Sequence, residues 1–242
     1  FLIHDTQSAP DRGSLEATET TETPAKDIEN AWAARQAARV AANSRMALSL
    51  ILRPSEAPDD EDEDVARLRS KIADTDQAMR LGTLVHRALE IWNFEADPAT
   101  ESEGVARRVL EGIAASSPLA DMFQTFLDTL VQGELFQKLR ELGPENILGR
   151  EVPVLMRGPH DSQVYSGTAD LVYRDPADGE IVVVDYKTDQ APDDDALALL
   201  TRHYAPQLTL YGEAVREALG MDLLPRLEFW FLAVDRIACL PR

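Results

Sequence analysis

The chain has 242 residues, 44% of them hydrophobic and 28% charged, a balance that suits one domain with attached segments and a real core. Its 24 Lys and Arg stand against 43 Asp and Glu, a net charge of −19, which excludes a broad cationic surface for nucleic acid but allows an acidic metal site or a site completed by another subunit. The single cysteine, Cys239, excludes an intrachain disulfide framework, a cysteine-based zinc site and a four-cysteine iron–sulfur cluster, and it fits a reducing, cytoplasmic setting.

In chain order, residues 5–30 are Thr, Ser, Glu, Asp, Ala and Pro with almost no large apolar side chains, so they read as a flexible arm. From Ile28 to Leu52 the composition turns to Ala, Arg, Leu and Trp, which predicts a helix ended by Arg53-Pro54. Asp59-Asp60-Glu61-Asp62-Glu63-Asp64 is six like charges in a row, a self-repelling, solvated linker. The expected organisation is an acidic arm over 1–64 with one helix, then a folded domain over 65–242. Apolar runs fall well short of the roughly 20 residues that span a bilayer, so no membrane association is expected.

Within the domain, Val85, Ala88, Leu89 and Trp92 recur at helical spacing and place a helix over Leu84–Trp92. Residues 101–142 read as two or three more helices, with Pro118 opening one, Gly133 breaking the run and Gly143-Pro144 closing it. Strands follow at Glu151–Met156, Tyr165–Tyr173 and Ile181–Val184, the last two joined by a turn with an Asp178-Gly179 step. Ile181–Val184 is apolar on both faces, hence central in its sheet. Asp193 to Gly220 returns to helix, with acids at the positive end of its dipole. Leu227–Ala233 and Ile237–Leu240 complete the set as strands. Helices, three strands, a helix and two strands describe an α/β fold with a mixed sheet.

The chemistry concentrates at the end of the central strand. Asp185 and Lys187 in Asp185-Tyr186-Lys187 point to one side of it, because strand side chains alternate. Alone, they could be a surface pair at a strand end. Asp170 adds weight. If Tyr173 pairs with Val182, Asp170 falls opposite Asp185, and two facing carboxylates call for a cation. A slip of one residue would part them. His86 lies at the edge of the apolar stripe of its helix, one turn after Gly82. A histidine bordering a core would look the same. Gln207 and Tyr211, four apart, share a helix face, which suits either a polar helix edge or a pair lining a site.

Together the four blocks Leu81–Leu89, Gly167–Val172, Val183–Asp189 and Gln207–Tyr211 resemble motifs of the PD-(D/E)XK nucleases, in the branch found at the C-terminus of RecB- and AddA-type helicase–nucleases. The wording Val-Asp-Tyr-Lys-Thr-Asp is nearer to the AddA type. The resemblance implies a restriction-endonuclease-like core, a central mixed sheet flanked by helices with a helical region before it. It implies a metal held by His86, Asp170, Asp185 and the carbonyl of Tyr186, with Mg²⁺ the default and Mn²⁺ tolerated. It makes Asp170, Asp185 and Lys187 catalytic, with Gln207 and Tyr211 supporting the site or the DNA backbone. Glu151 stands where related nucleases often carry an acid, a supporting position at best and equally an ordinary strand-end acid. The implied activity is exonucleolytic hydrolysis of DNA in double-strand break repair, in the bacterial cytoplasm at the nucleoid. The implied partners are DNA, a helicase region that this chain lacks (it has no Gly-x-x-x-x-Gly-Lys-[Ser/Thr] phosphate loop) and an AddB-like subunit. The cysteine-bound iron–sulfur device of related nucleases is not expected here. The alternative is an inactive nuclease-fold module for DNA binding or assembly.

Overall fold

The structure, a computed structural model, describes residues 51–52, 65, 75–157 and 164–241. Most of the arm expected over 1–64, including the acidic run 59–64, lies outside the described residues. So does the helix expected over 28–52, apart from its last two positions. Those two are not helical: Ile51–Leu52 form a short strand, β1, pairing in parallel with Val164 and Tyr165.

Within the described residues 75–141, four helices precede the main strands. Helix α1 spans Thr75–Ile91 and buries Val85, Ala88 and Leu89, the apolar stripe read from the sequence. Helix α2, Pro98–Val109, starts at Asp97, whose carboxylate accepts from Thr100 N at 3.0 Å. Helix α3, Pro118–Leu130, starts at Ser117, whose hydroxyl accepts from Ala120 N at 3.2 Å. Both have proline at the first helical position, where no amide hydrogen is needed. Helix α4, Glu134–Glu141, has Gly133 at its N-cap and no cap of its own. Its first amides are met from elsewhere: Asp235 accepts from Glu134 N at 2.6 Å and from Leu135 N at 2.9 Å.

The strands are β2 (Ile147–Arg157), β3 (Val164–Arg174), β4 (Ile181–Lys187), β5 (Arg226–Phe231) and β6 (Arg236–Cys239). They form one mixed sheet in the order β1-β3-β4-β5-β6, with β2 also on β3. Strands β2, β3 and β4 run antiparallel in turn, β4 and β5 are parallel, and β6 returns antiparallel. The parallel step needs a crossover, and helix α5, Asp194–Leu219, supplies it. Asp193 caps α5 by accepting from Ala196 N at 2.8 Å, and Gly220 closes it in the left-handed conformation at φ 63°.

Strand β4 is buried from Ile181 through Tyr186, as expected of a central strand. Val182, Val184 and Tyr186 join one apolar core with α1 to α4, while Val183 joins a second core with α5. Alternation therefore puts Asp185 and Lys187 on the α5 face. Arg226 pins the β3–β4 turn to β5, pairing with Asp175, with Asp178 at 2.8 Å and with Glu228 at 3.0 Å.

Register decides what meets at the site. Tyr173 pairs with Val182 and Leu171 with Val184, as the sequence predicts, so the next step sets Asp170 beside Asp185. On the other side, Arg150 pairs with Leu171 and Val152 with Ala169, which sets Glu151 opposite Asp170. Three carboxylates thus lie in one row across β2, β3 and β4.

Candidate metal and active site

Each acid of the row is held differently. Asp170, on β3, is 5% exposed; its Oδ2 accepts from Tyr186 N at 2.5 Å and its Oδ1 lies 2.8 Å from His86 Nδ1. Glu151 sits at φ 48°, left-handed backbone that costs a non-glycine residue about 1–2 kcal/mol. The β2–β3 ladder skips this pair, and the twist brings the Glu151 carboxylate within 4.0 Å of His86 Nδ1. Asp185 is 4% exposed, with Lys187 Nζ 2.5 Å from its Oδ2. That contact is a charge pair without hydrogen-bond alignment, so Oδ2 is a buried oxygen with no directed donor.

His86 reaches the row from α1. Gly82, one turn earlier, lets the chain after β4 approach: a Cβ there would lie 3.2 Å from Thr188 Oγ1. The His86 ring stands edge-on to Tyr186, with centroids 6.0 Å apart. Across the cleft, Lys187 Nζ donates to Gln207 Oε1 at 3.2 Å, and Gln207 Nε2 donates to the Tyr211 hydroxyl at 2.9 Å. The Tyr211 ring lies over Gly167, where a Cβ would come within 2.6 Å of it. These groups line one cleft of about 350 Å³ with Thr168, Thr188 and Asp189.

Crowded negative charge shows in the proton affinities. Burial drives the Glu151 carboxyl up to about 7, and the neighbouring Asp170 charge adds to it. Burial also raises Asp185, opposed by Lys187 and reinforced by Asp170. Burial would lower His86, but Asp170, by charge and hydrogen bond, outweighs it and brings the imidazole up to about 8. Burial raises the Tyr211 phenol, against a hydrogen bond from Gln207. The cleft by itself thus holds extra protons at neutral pH where a cation could stand.

The donor set fits a divalent metal. One ligand atom each from His86, Glu151 and Asp170 lies within 4.8 Å of the other two. Two carboxylates and an imidazole suit Mg²⁺ or Mn²⁺, with the nitrogen favouring Mn²⁺. Asp185 does not join this close trio; it lies next in the row, its unaligned oxygen against Lys187. Tyr186 lines the same cleft. The structure therefore gathers His86, Asp170, Asp185, Tyr186, Lys187, Gln207 and Tyr211 in one place, and adds Glu151 as a full member of the acidic row. The signal for Glu151 is the β2–β3 register, which the sequence between the two strands does not set. His4, one of four histidines, lies outside the described residues, as does His160. Among the described residues, no helix is long and apolar enough to cross a membrane.

A family model described as the PD-(D/E)XK nuclease superfamily matches residues 63–236, most of the chain. No curated protein matches it. The matched span takes in the acidic row, His86, Lys187 and the α5 pair, on a mixed sheet flanked by helices, and the chain belongs to the PD-(D/E)XK nuclease superfamily.

Proposed function

We propose that this domain is a metal-dependent deoxyribonuclease that hydrolyses phosphodiester bonds. The observation that carries the reading is the row Glu151, Asp170 and Asp185, closed by His86 on one flank and by the partly buried Lys187 on the other. A divalent cation, when bound, would supply a water of lowered pKa and polarise a phosphate oxygen. His86, Glu151 and Asp170 would hold it, with Asp185 completing the acidic wall. Lys187 presents a compact positive charge to the phosphate, offsets charge that develops on it, and helps orient the attacking water. Gln207, itself held by Tyr211, accepts from Lys187 and shares the ammonium with Asp185.

The finer reading is an exonuclease of the AddA or RecB type, acting in the cytoplasm in double-strand break repair beside a helicase region and an AddB-like subunit. Its support is the order and wording of the four blocks that bear His86, Asp170, Asp185-Tyr186-Lys187 and Gln207 with Tyr211. The test is cleavage of end-labelled linear duplex and of covalently closed circles with Mg²⁺ or Mn²⁺. Linear DNA should be degraded and closed circles spared. Lys187→Ala should cut at least about a hundredfold more slowly while still binding Mn²⁺. Equal cutting of circles would overturn the exonuclease reading. A wild-type chain that binds Mn²⁺ and cuts nothing would favour the inactive module.

A further inference from the structure

We propose that Tyr204 is a positioning residue for Lys187, acting through the face of its ring. The inference rests on the nuclease reading above, in which Lys187 serves the phosphate. Lys187 Nζ lies 4.0 Å from the centroid of the Tyr204 ring, well inside the range in which an aromatic face attracts a cation. The side chain of Lys187 is only 13% exposed, so water screens this attraction little.

The ring is held at both ends. Its backbone is one turn before Gln207 on α5, and its hydroxyl donates to Asp189 Oδ2 at 2.9 Å, in the segment that follows β4. The Phe229 ring packs beside it, with centroids 6.0 Å apart. Tyr204 therefore ties α5 to the strand end that carries Lys187, and its face is set before any substrate arrives.

The remaining contacts of the ammonium show why a ring suits this place. Asp185 pulls Nζ toward the acidic row, Gln207 accepts one N–H, and the Phe229 ring stands farther off, its centroid 5.9 Å away. A second carboxylate on the far side would deepen the negative charge of a cleft that must admit phosphate. The Tyr204 face offsets the pull of Asp185 without adding a formal charge, so the ammonium stays between the acids and the open cleft. Tyr204 does not line that cleft, so it acts through Lys187 rather than on substrate.

The experiment compares Tyr204→Leu and Tyr204→Phe with wild type in the full chain. It measures kcat and KM on linear duplex DNA with Mn²⁺, Mn²⁺ affinity by calorimetry, and the proton shifts of the Lys187 ε-methylene by NMR. Tyr204→Leu should lower kcat about three- to thirtyfold, with KM and Mn²⁺ affinity within twofold of wild type. The ε-methylene protons, displaced upfield chiefly by the nearer Tyr204 ring in wild type, should move most of the way back toward ordinary values. Tyr204→Phe keeps the face and should restore both the shift and most of kcat. The proposal is overturned if Tyr204→Leu cuts like wild type. It is also overturned if Tyr204→Phe loses as much as Tyr204→Leu, or if the loss comes with an equal loss of metal affinity. Wild type that does not cut at all overturns the nuclease reading instead; the NMR shift then still decides whether the ring holds the lysine.

Discussion

Glu151 concentrates the tension in the site. Its backbone is left-handed, its carboxyl is raised to about 7, and its nearest acid is the buried Asp170. A carboxyl whose folded pKa lies above its unfolded value favours folding only while it keeps its proton. That contribution is full below about 4.5 and is lost as pH rises toward about 7. His86 works in the same direction, its contribution being full below about 6.5 and lost as pH rises through about 8. The metal-free domain should therefore lose stability at this site as pH rises from about 4.5 to about 8. Glu151→Gln should melt higher than wild type at pH 8 without metal, by about 1 kcal/mol after allowance for partial exposure. At pH 4 the two should converge. Saturating Mn²⁺ should reverse the order at pH 8, because only wild type then gains the full ligand set. Calorimetric melts at the two pH values, with and without Mn²⁺, check all of this.

At the scale of elements, Gly167 and Gly104 make a controlled pair. A Cβ at Gly167 would lie within 2.6 Å of the Tyr211 ring, whereas at the half-buried Gly104 of α2 it would meet nothing within 4 Å. Gly167→Ala should cost about 1–3 kcal/mol and slow cleavage by moving Tyr211 off Gln207. Gly104→Ala should stabilise by about 0.5–1 kcal/mol and leave cleavage unchanged. Urea unfolding and DNA cleavage on both variants test the contrast. The elements also show what a sequence makes legible. Asp178-Gly179 and the apolar runs on either side mark the β3–β4 hairpin; the sequence left a slip of one residue open, and the structure pairs Tyr173 with Val182. Asp193 and Gly220 marked both ends of α5 through their capping chemistry. Two features could not be read. Ile51–Leu52 is too short to show a period, and after an Ala-rich run it looked like the end of a helix. Glu151 depends on the β2–β3 register, and Gly158-Pro159 marks a break between the two strands without fixing how many residues separate them, so its place opposite Asp170 did not follow from the sequence.

For the whole molecule, charge sets how DNA is met. The chain carries −19, and among the described residues Lys187 is the one lysine or arginine lining a cleft that holds the four acids Glu151, Asp170, Asp185 and Asp189. Tight duplex binding normally comes from clustered cations that release counterions, and it weakens steeply with salt. Here the isolated chain should bind duplex weakly, and raising salt from about 50 to 200 mM should change its affinity far less than the roughly thousandfold seen with cationic interfaces. Fluorescence anisotropy across that range tests it, and nanomolar binding with a steep slope would contradict the charge argument. Long-range attraction is then left to whatever presents the DNA, and the domain supplies chemistry more than grip.

Asp235 carries a different consequence, one of timing. The amide start of α4 waits on a carboxylate that follows it by about a hundred positions, in the last turn of the sheet. On the ribosome, α4 emerges long before its clasp does. The start of α4 therefore gains its cap only after β5 and β6 have paired, so an early helix of the chain is completed by one of the later turns.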